Sequence, residues 1–323
     1  MTPSRPLLSV VLSVYNAAPY LEECLTSLAE QTYSPMEFWL ADDGSSDNSR
    51  AILDRWAAKD ERFKTDHNKE NIGKIKTINR LLKERASGEF LSVHDADDYS
   101  APNRFELQMN FLLAHPEFGF CGTAYETISA KGKQIAVHQK ESDPKIIKAQ
   151  ITQHNQFCGA TMVYQASLFR NVGGYRQFFN RIGNEDYDLS YRMLVLMPGS
   201  NLPNNLYAYR QLNNSFSKTL KAENAVGHKL VQWLAQERKE KGQDALQLGQ
   251  EERATAQLEE LCQPYRQEAD LLYREYAAGY MYQQLYRSAF YAALQAIKVS
   301  PTKLINYRTA FYILRKANIK LLN

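Results

Sequence analysis

The feature that most constrains this chain is an alternation of two textures up to about residue 130. Short apolar runs at Leu8 to Val14, Phe38 to Ala41, Phe90 to Val93 and Phe118 to Gly122, with another near Phe63 to Thr65, have the length and content of buried strands. Between them lie stretches with helical spacing: Tyr20 to Gln31, Ser49 to Lys59, Lys74 to Ala86 and Pro102 to Ala114. Asp47 or Asn48 suits the start of the second of these helices, and Gly88 the end of the third. Alternating β and α elements require a parallel sheet covered on both faces, because right-handed crossovers are what fold each helix back onto such a sheet. The expectation is an α/β fold.

In sheets of this kind ligands bind at the C-terminal ends of the strands. Tyr15 and Asn16 follow the first strand, and "ADDGSSDNS", with Asp42 and Asp43, follows the second. "HNKENIGK", with Asn71, Gly73 and Lys74, follows the third, and "HDADD" the fourth. Polar and acidic residues with short side chains thus recur at one edge, which marks it as a site.

Asp95, Asp97 and Asp98 repel one another at the end of a buried strand, and only His94 and Arg104 stand nearby in sequence to offset them. An acidic run is ordinarily a solvated loop. Held at a strand end, it calls for a cation or for a ligand hydroxyl. An Asp-x-Asp pair, with hard oxygens and room for water, suits Mg²⁺ or Mn²⁺ bridging a diphosphate. "ADDGSSDNS" is an Asp-Gly turn leading into a helix cap, in which one carboxylate ties the loop while the other accepts from a base N–H or a ribose. "NIGK" is either a turn into a helix or a phosphate contact, made through Gly73 and the helix N-terminus with Lys74 or Lys76 adding charge. In "NEDYDL", Glu185, Asp186 and Asp188 either complement a helix dipole or include a general base. Arg210, in "YAYRQLNNS", is either an ion-pair partner or a phosphate contact.

Taken in order, "SVVLSVYNAAPYLEECLTSLAEQTY", "LADDGSSDNS", "NIGKIKTINRLL", "SGEFLSVHDADDYSAPNRFELQ", "GGYR", "NEDYDLSYRM" and "YRQLNNS" resemble family 2 of the glycosyltransferases with the GT-A fold. The resemblance covers roughly residues 7 to 218. It implies a Rossmann-like mixed, mostly parallel sheet flanked by helices, a nucleotide-diphosphate sugar donor, a divalent metal (Mn²⁺ or Mg²⁺) and inversion at the anomeric carbon. Carried over by position, Ser13 and Tyr15 line the nucleobase pocket, and Asp43, with Asp42 beside it, reads the base or ribose. Asp97 meets the metal, Asp95 the metal, ribose or sugar, and Asp98 is a second contact. Asn71, Lys74 and Arg210 belong to the donor site. Asp186 is the base, with Glu185 the alternative. The chain departs from the family pattern at Leu212, where many relatives carry a histidine that helps hold the diphosphate or metal. Asn213, Arg210 or a lysine must then substitute, or metal dependence is weaker.

These motifs place a catalytic domain at residues 1–220, with its nucleotide-sugar half at about 1–130 and its acceptor half at about 131–220. A helical C-terminal region follows at 221–323. From Arg287 to the C-terminus there are seven Lys or Arg and no Asp or Glu, although the whole chain carries a net charge of only +3. That balance gives no reason to expect nucleic acid. Aromatic residues interleaved with the basic ones fit either helices packed on protein, including a homo-oligomer, or an amphipathic face on an anionic membrane. Cys24, Cys121, Cys158 and Cys262 lack metal-ligand spacing and fit reduced thiols in the cytoplasm. "RPLLSVVLSVYNAA" mimics a signal peptide but leads straight into a loop and helix, so a strand is expected there. No run reaches the roughly 20 apolar residues of a membrane span. The expected activity is transfer of a sugar, with a UDP-sugar the favoured donor, to a glycan or lipid-linked hydroxyl in cell-surface polysaccharide synthesis, at the inner membrane face. The rivals are a sugar-nucleotidyltransferase, against which "YNAAPYLEE" lacks a Gly-rich, basic triphosphate loop, and a catalytically silent glycan-binding or scaffold protein.

Overall fold

Strand β1 (Leu8–Val14) is buried along nearly its whole length, and the sheet grows outward from it. The computed structural model describes residues 5–212 and 221–321. From β1 the chain passes through α1 (Ala18–Ala29) to β2 (Met36–Asp42), then through α2 (Ser49–Lys59) to β3 (Phe63–His67). Helix α3 (Lys74–Glu84) then crosses back to β4 (Phe90–Val93) on the other side of β1. All pairings among these four strands are parallel. Two of the expected segments, Leu8 to Val14 and Phe90 to Val93, coincide with the observed strands. The stretch that mimics a signal peptide is therefore the central strand of a core that includes Val10, Leu12, Leu21, Phe38 and Phe105.

The order β3-β2-β1-β4 reverses direction at β1 and β4, and this opens a crevice beyond their C-terminal ends. Beyond β4 the sheet becomes mixed. Next in the chain come β5 (Tyr99–Ser100), α4 (Arg104–Ala114), β6 (Phe120–Ser129) and β7 (Gln134–His138). Then follow α5 (Pro144–Gln150), β8 (Val163–Gln165), α6 (Ala166–Asn171), α7 (Glu185–Leu196) and β9 (Gly199–Gln211). The full order is β3-β2-β1-β4-β8-β6-β9-β5, with β7 paired to β6. Strand β8 runs antiparallel to both β4 and β6, β7 to β6, and β5 to β9, while β9 is parallel to β6. Strand β7 returns antiparallel along β6 because a tight turn, with Gly132 at φ 78, joins them rather than a crossover helix. Strand β6 also runs on to Ser129, well past the Gly122 expected from the apolar run, because β9 pairs along its length.

Residues up to Gln211 form one compact unit, and those from Leu212 onward form a second. The second is helical: α8 (Ala222–Lys241), α9 (Glu251–Gln267), α10 (Ala269–Tyr282), α11 (Tyr286–Val299) and α12 (Leu304–Leu321). Gly242 ends α8 in the left-handed region, whereas Gly227 and Pro264 lie inside helices and do not break them. A tight alanine-rich core of Ala277, Ala289, Ala292, Ala293 and Ala310, with Tyr280 and Ile313, holds α10 to α12 together. Among the described residues, no helix is long and apolar enough to cross a membrane.

Candidate active site

The loops after β1 and β2 are laced together at the crevice. Asn16, at φ 50, accepts from Ser46 N (2.8 Å) and donates its own N–H to Ser45 Oγ (3.0 Å). Asp47 accepts from Ala18 N (3.1 Å) and Ser49 N (2.9 Å), so it ties two helix starts while Asn48 occupies the cap position of α2. This leaves Tyr15 projecting, 52% exposed, beside the half-buried Ser13.

Asp43 is turned inward. Its carboxylate accepts from Asn68 Nδ2 (2.7 Å), Ile72 N (3.0 Å), Gly73 N (3.0 Å) and Thr77 Oγ1 (3.0 Å). With four donors supplied by the chain, three on Oδ1 and one on Oδ2, it ties the β3–α3 loop. Asp42 accepts from Ser45 N (3.1 Å). Asn71, expected at the donor, instead accepts from Arg181 through its carbonyl and side-chain oxygens (3.3 and 3.2 Å). Gly73, at φ 96, lies so close to Asn180 that a Cβ would come within 2.6 Å of it. The loop after β3 is thus locked to residues 180 and 181.

The acids after β4 are split by their partners. Asp98, 2% exposed, accepts from Tyr207 Oη (2.7 Å) and Arg210 N (2.7 Å), so it pins β9 rather than offering a second ligand contact. Arg210 is buried as well. Its guanidinium donates to Asp97 O (2.8 Å), Ala130 O (3.2 Å) and Glu23, and it packs over the Tyr20 ring. It is a strut beneath the acidic loop, and its donors are not aimed at a phosphate. His94 and Arg104 meet through Ser100: Arg104 Nη1 donates to Ser100 Oγ (2.9 Å), which lies 2.9 Å from His94 Nε2. Burial and the Arg104 charge push His94 down to about 3, so it is neutral and does not offset the acids. Arg104, with no exposure at all, sits behind them.

Asp95 and Asp97 remain. Lys74, the first residue of α3, places Nζ 2.5 Å from Asp95 Oδ1. Desolvation works against a charge on Lys74, yet Asp95 and Glu185 outweigh it and raise its pKa. The Asp97 carboxylate has no side-chain hydrogen-bond partner among the described residues, and burial together with the Asp95 charge raises it to about 6.

Across the crevice, Asp186 Oδ2 accepts from Asn155 Nδ2 (3.2 Å) and Gly159 N (3.1 Å), and Oδ1 accepts from Tyr187 N (2.8 Å). A Cβ on Gly159 would lie 2.6 Å from Asp186 Cβ, so this close approach requires glycine. Burial raises Asp186 against the pull of the two backbone N–H groups. Glu185 is pushed up to about 7 by burial and by its acidic neighbour, with Lys74 opposing. Behind them Asp188 is fully buried between Arg176 (3.2 Å) and Arg192 (2.8 Å), which anchors the first turn of α7. Lys74, Asp95, Gly159, Tyr175, Glu185 and Asp186 line one narrow cleft of about 60 Å³. Asn155, Gly159 and Tyr175 went unmarked in the sequence; a glycine within "CGAT", directly before a strand, was the available signal. Asn213 lies outside the described residues.

Among the described residues no three acidic, histidine or cysteine side chains form a ready metal cage. A cation carried on a diphosphate needs fewer protein ligands, because phosphate oxygens and water complete its shell. An Asp97 carboxylate with no side-chain partner among the described residues, next to Asp95, suits that chemistry.

A crevice at this reversal point, with a basic and acidic floor and a carboxylate wall opposite, is that of a GT-A-type sugar transferase. The family model "Glycosyl transferase family 2" matches residues 9–173, and the chain belongs to that family; it is a glycosyltransferase. EpsE of Bacillus subtilis (strain 168), named as a glycosyltransferase, is 31% identical over 231 residues, which is 69% of this chain and 81% of EpsE. TuaG of the same organism, named for teichuronic acid biosynthesis, is 32% identical over 44% of this chain and 56% of its own. In fold, the chain resembles S. aureus TarS residues 1–349 in complex with UDP-GlcNAc (TM-score 0.56, 18% identity, 88% of this chain and 89% of that one). It also resembles the mannosyltransferase PcManGT from Pyrobaculum calidifontis in complex with GDP-Man and Mn²⁺ (TM-score 0.56, 17% identity, 99% and 81%).

Proposed function

We propose that the protein transfers a sugar from a nucleotide-diphosphate donor, a UDP-sugar in first place, to a hydroxyl of a glycan or lipid-linked acceptor, with inversion at the anomeric carbon. The observation that carries this reading is the placement of Asp95 with Lys74 on one side, and Asp186 on the other, of a single cleft. In the proposed reaction the acceptor oxygen attacks the anomeric carbon, the bond to the diphosphate breaks, and the hydroxyl proton passes to the Asp186 carboxylate. Asn155 and the Gly159 N–H orient that carboxylate, and positioning the three reacting centres in line supplies much of the rate. In this reading Tyr15, Ser13 and Asp42, at the ends of β1 and β2, would line the base and ribose, and Lys74 would meet the phosphates. Asp97, with Asp95, would hold Mn²⁺ or Mg²⁺, which when bound neutralises charge on the departing diphosphate. The complexes of the fold neighbours, with UDP-GlcNAc and with GDP-Man and Mn²⁺, support a sugar nucleotide and a metal. The name of TuaG, which specifies teichuronic acid biosynthesis, supports work in polysaccharide synthesis, and the four free cysteines fit a reducing compartment.

The test is a thermal-shift screen of uridine, guanosine and thymidine sugars with and without Mn²⁺. A true donor stabilises the fold by RT ln(1 + [L]/Kd), so the shift climbs with concentration. A flat response to every nucleotide sugar removes the proposal.

A further inference from the structure

Helix α12 carries an apolar stripe that is left exposed among the described residues. The helix packs inward through Asn306, Ala310 and Ile313, all buried. Flanking that buried side, Leu304, Tyr307, Phe311 and Leu314 follow one another at intervals of three and four, so they share a face. All four are exposed, Leu304 at 72% and Phe311 at 69%. Arg308 and Arg315 are the i−3 and i+4 neighbours of Phe311; they are exposed on that same face. From residue 287 to the C-terminus the chain holds seven Lys or Arg and no acid, and of these Lys303 is already spent on Asp270 and Glu268.

Charge selects the occupant. A second copy docking through this face would bring two more guanidinium groups to it, with no carboxylate on the helix to answer the four. An anionic bilayer answers both features at once: aromatic and aliphatic groups enter the headgroup boundary while the guanidinium groups meet phosphates. We propose that the exposed face of α12 docks on an anionic lipid surface, lying in its plane. Binding is read without turnover, so this proposal and the transferase reading fail separately.

The experiment is co-sedimentation of the full chain with phosphatidylcholine vesicles, with and without phosphatidylglycerol, at low and high salt. The expected result is binding only where phosphatidylglycerol is present, with release by salt. The double variant Arg308→Gln, Arg315→Gln should bind roughly 25-fold more weakly, about fivefold for each basic residue lost near the membrane. Phe311→Ser should also weaken binding, and because both sites are exposed the melting temperature should stay that of the wild type. Absence of binding to phosphatidylglycerol vesicles, or equal binding to both vesicle types, overturns the proposal. So does a wild-type dimer that Phe311→Ser dissociates, which would assign the face to a second copy.

Discussion

The ammonium of Lys74 lies 2.5 Å from Asp95 Oδ1, so the first residue of α3 closes a charge pair onto the loop after β4. Two segments that are separate in sequence meet there, on the floor of the cleft. Lys74→Met should leave Asp95 uncompensated beside an incoming diphosphate. Nucleoside diphosphate affinity is expected to fall roughly tenfold or more, the scale of one charge-assisted hydrogen bond. Calorimetric titration with UDP and GDP checks this, and Lys74→Arg should recover part of the loss.

Asp186→Asn keeps the shape of the carboxylate but removes its basicity. Turnover should drop by roughly 10² to 10⁴, the usual worth of a positioned general base, with nucleotide affinity nearly unchanged. Gly159→Ala should lower turnover too, since its Cβ would press on Asp186 from 2.6 Å. Equal turnover in Asp186→Asn and wild type would move the base elsewhere, with Glu185→Gln the next variant to assay.

Burial and Asp186 push Glu185 up to about 7. In the folded state it therefore holds its proton over a range where the unfolded chain has lost it. The unfolded state then binds fewer protons, so this contribution is fully present at low pH and disappears as pH rises through about 7. His94, depressed to about 3, acts in the opposite sense, so the difference between variants is the clean readout. Wild type should lose stability relative to Glu185→Gln as pH rises toward 7, measured by urea unfolding at a series of pH values.

Asp43→Ala removes an acceptor shared by four donors, two of them backbone N–H groups. The expected cost is roughly 3 kcal/mol of unfolding free energy, the penalty for leaving buried donors unmet. Urea denaturation measures it. Loss of nucleotide affinity without loss of stability would instead return Asp43 to the ligand.

Mn²⁺ should raise nucleoside diphosphate affinity in the wild type and not in Asp97→Asn. Titrations with and without a chelator test this. An unchanged Mn²⁺ effect in the variant would remove Asp97 from the metal site.

The sequence alone determined the alternating strands and helices of the first half of the chain and the edge of the sheet where polar residues gather, because strand length, helical spacing and turn chemistry are local properties. Ser49–Lys59 and Phe90–Val93 were legible to the residue for that reason. The direction of the sheet beyond β4 was not legible, since β8 finds its two partners only in the folded chain. What only the tertiary structure decided was which acids and bases remain available. Asp43 is held by Asn68, Ile72, Gly73 and Thr77, and Asp98 by Tyr207 and Arg210, the latter 112 residues away. A carboxylate takes its role from the donors that reach it. Those donors arrive from remote segments, so a string of aspartates announces a site without saying which of them will serve it.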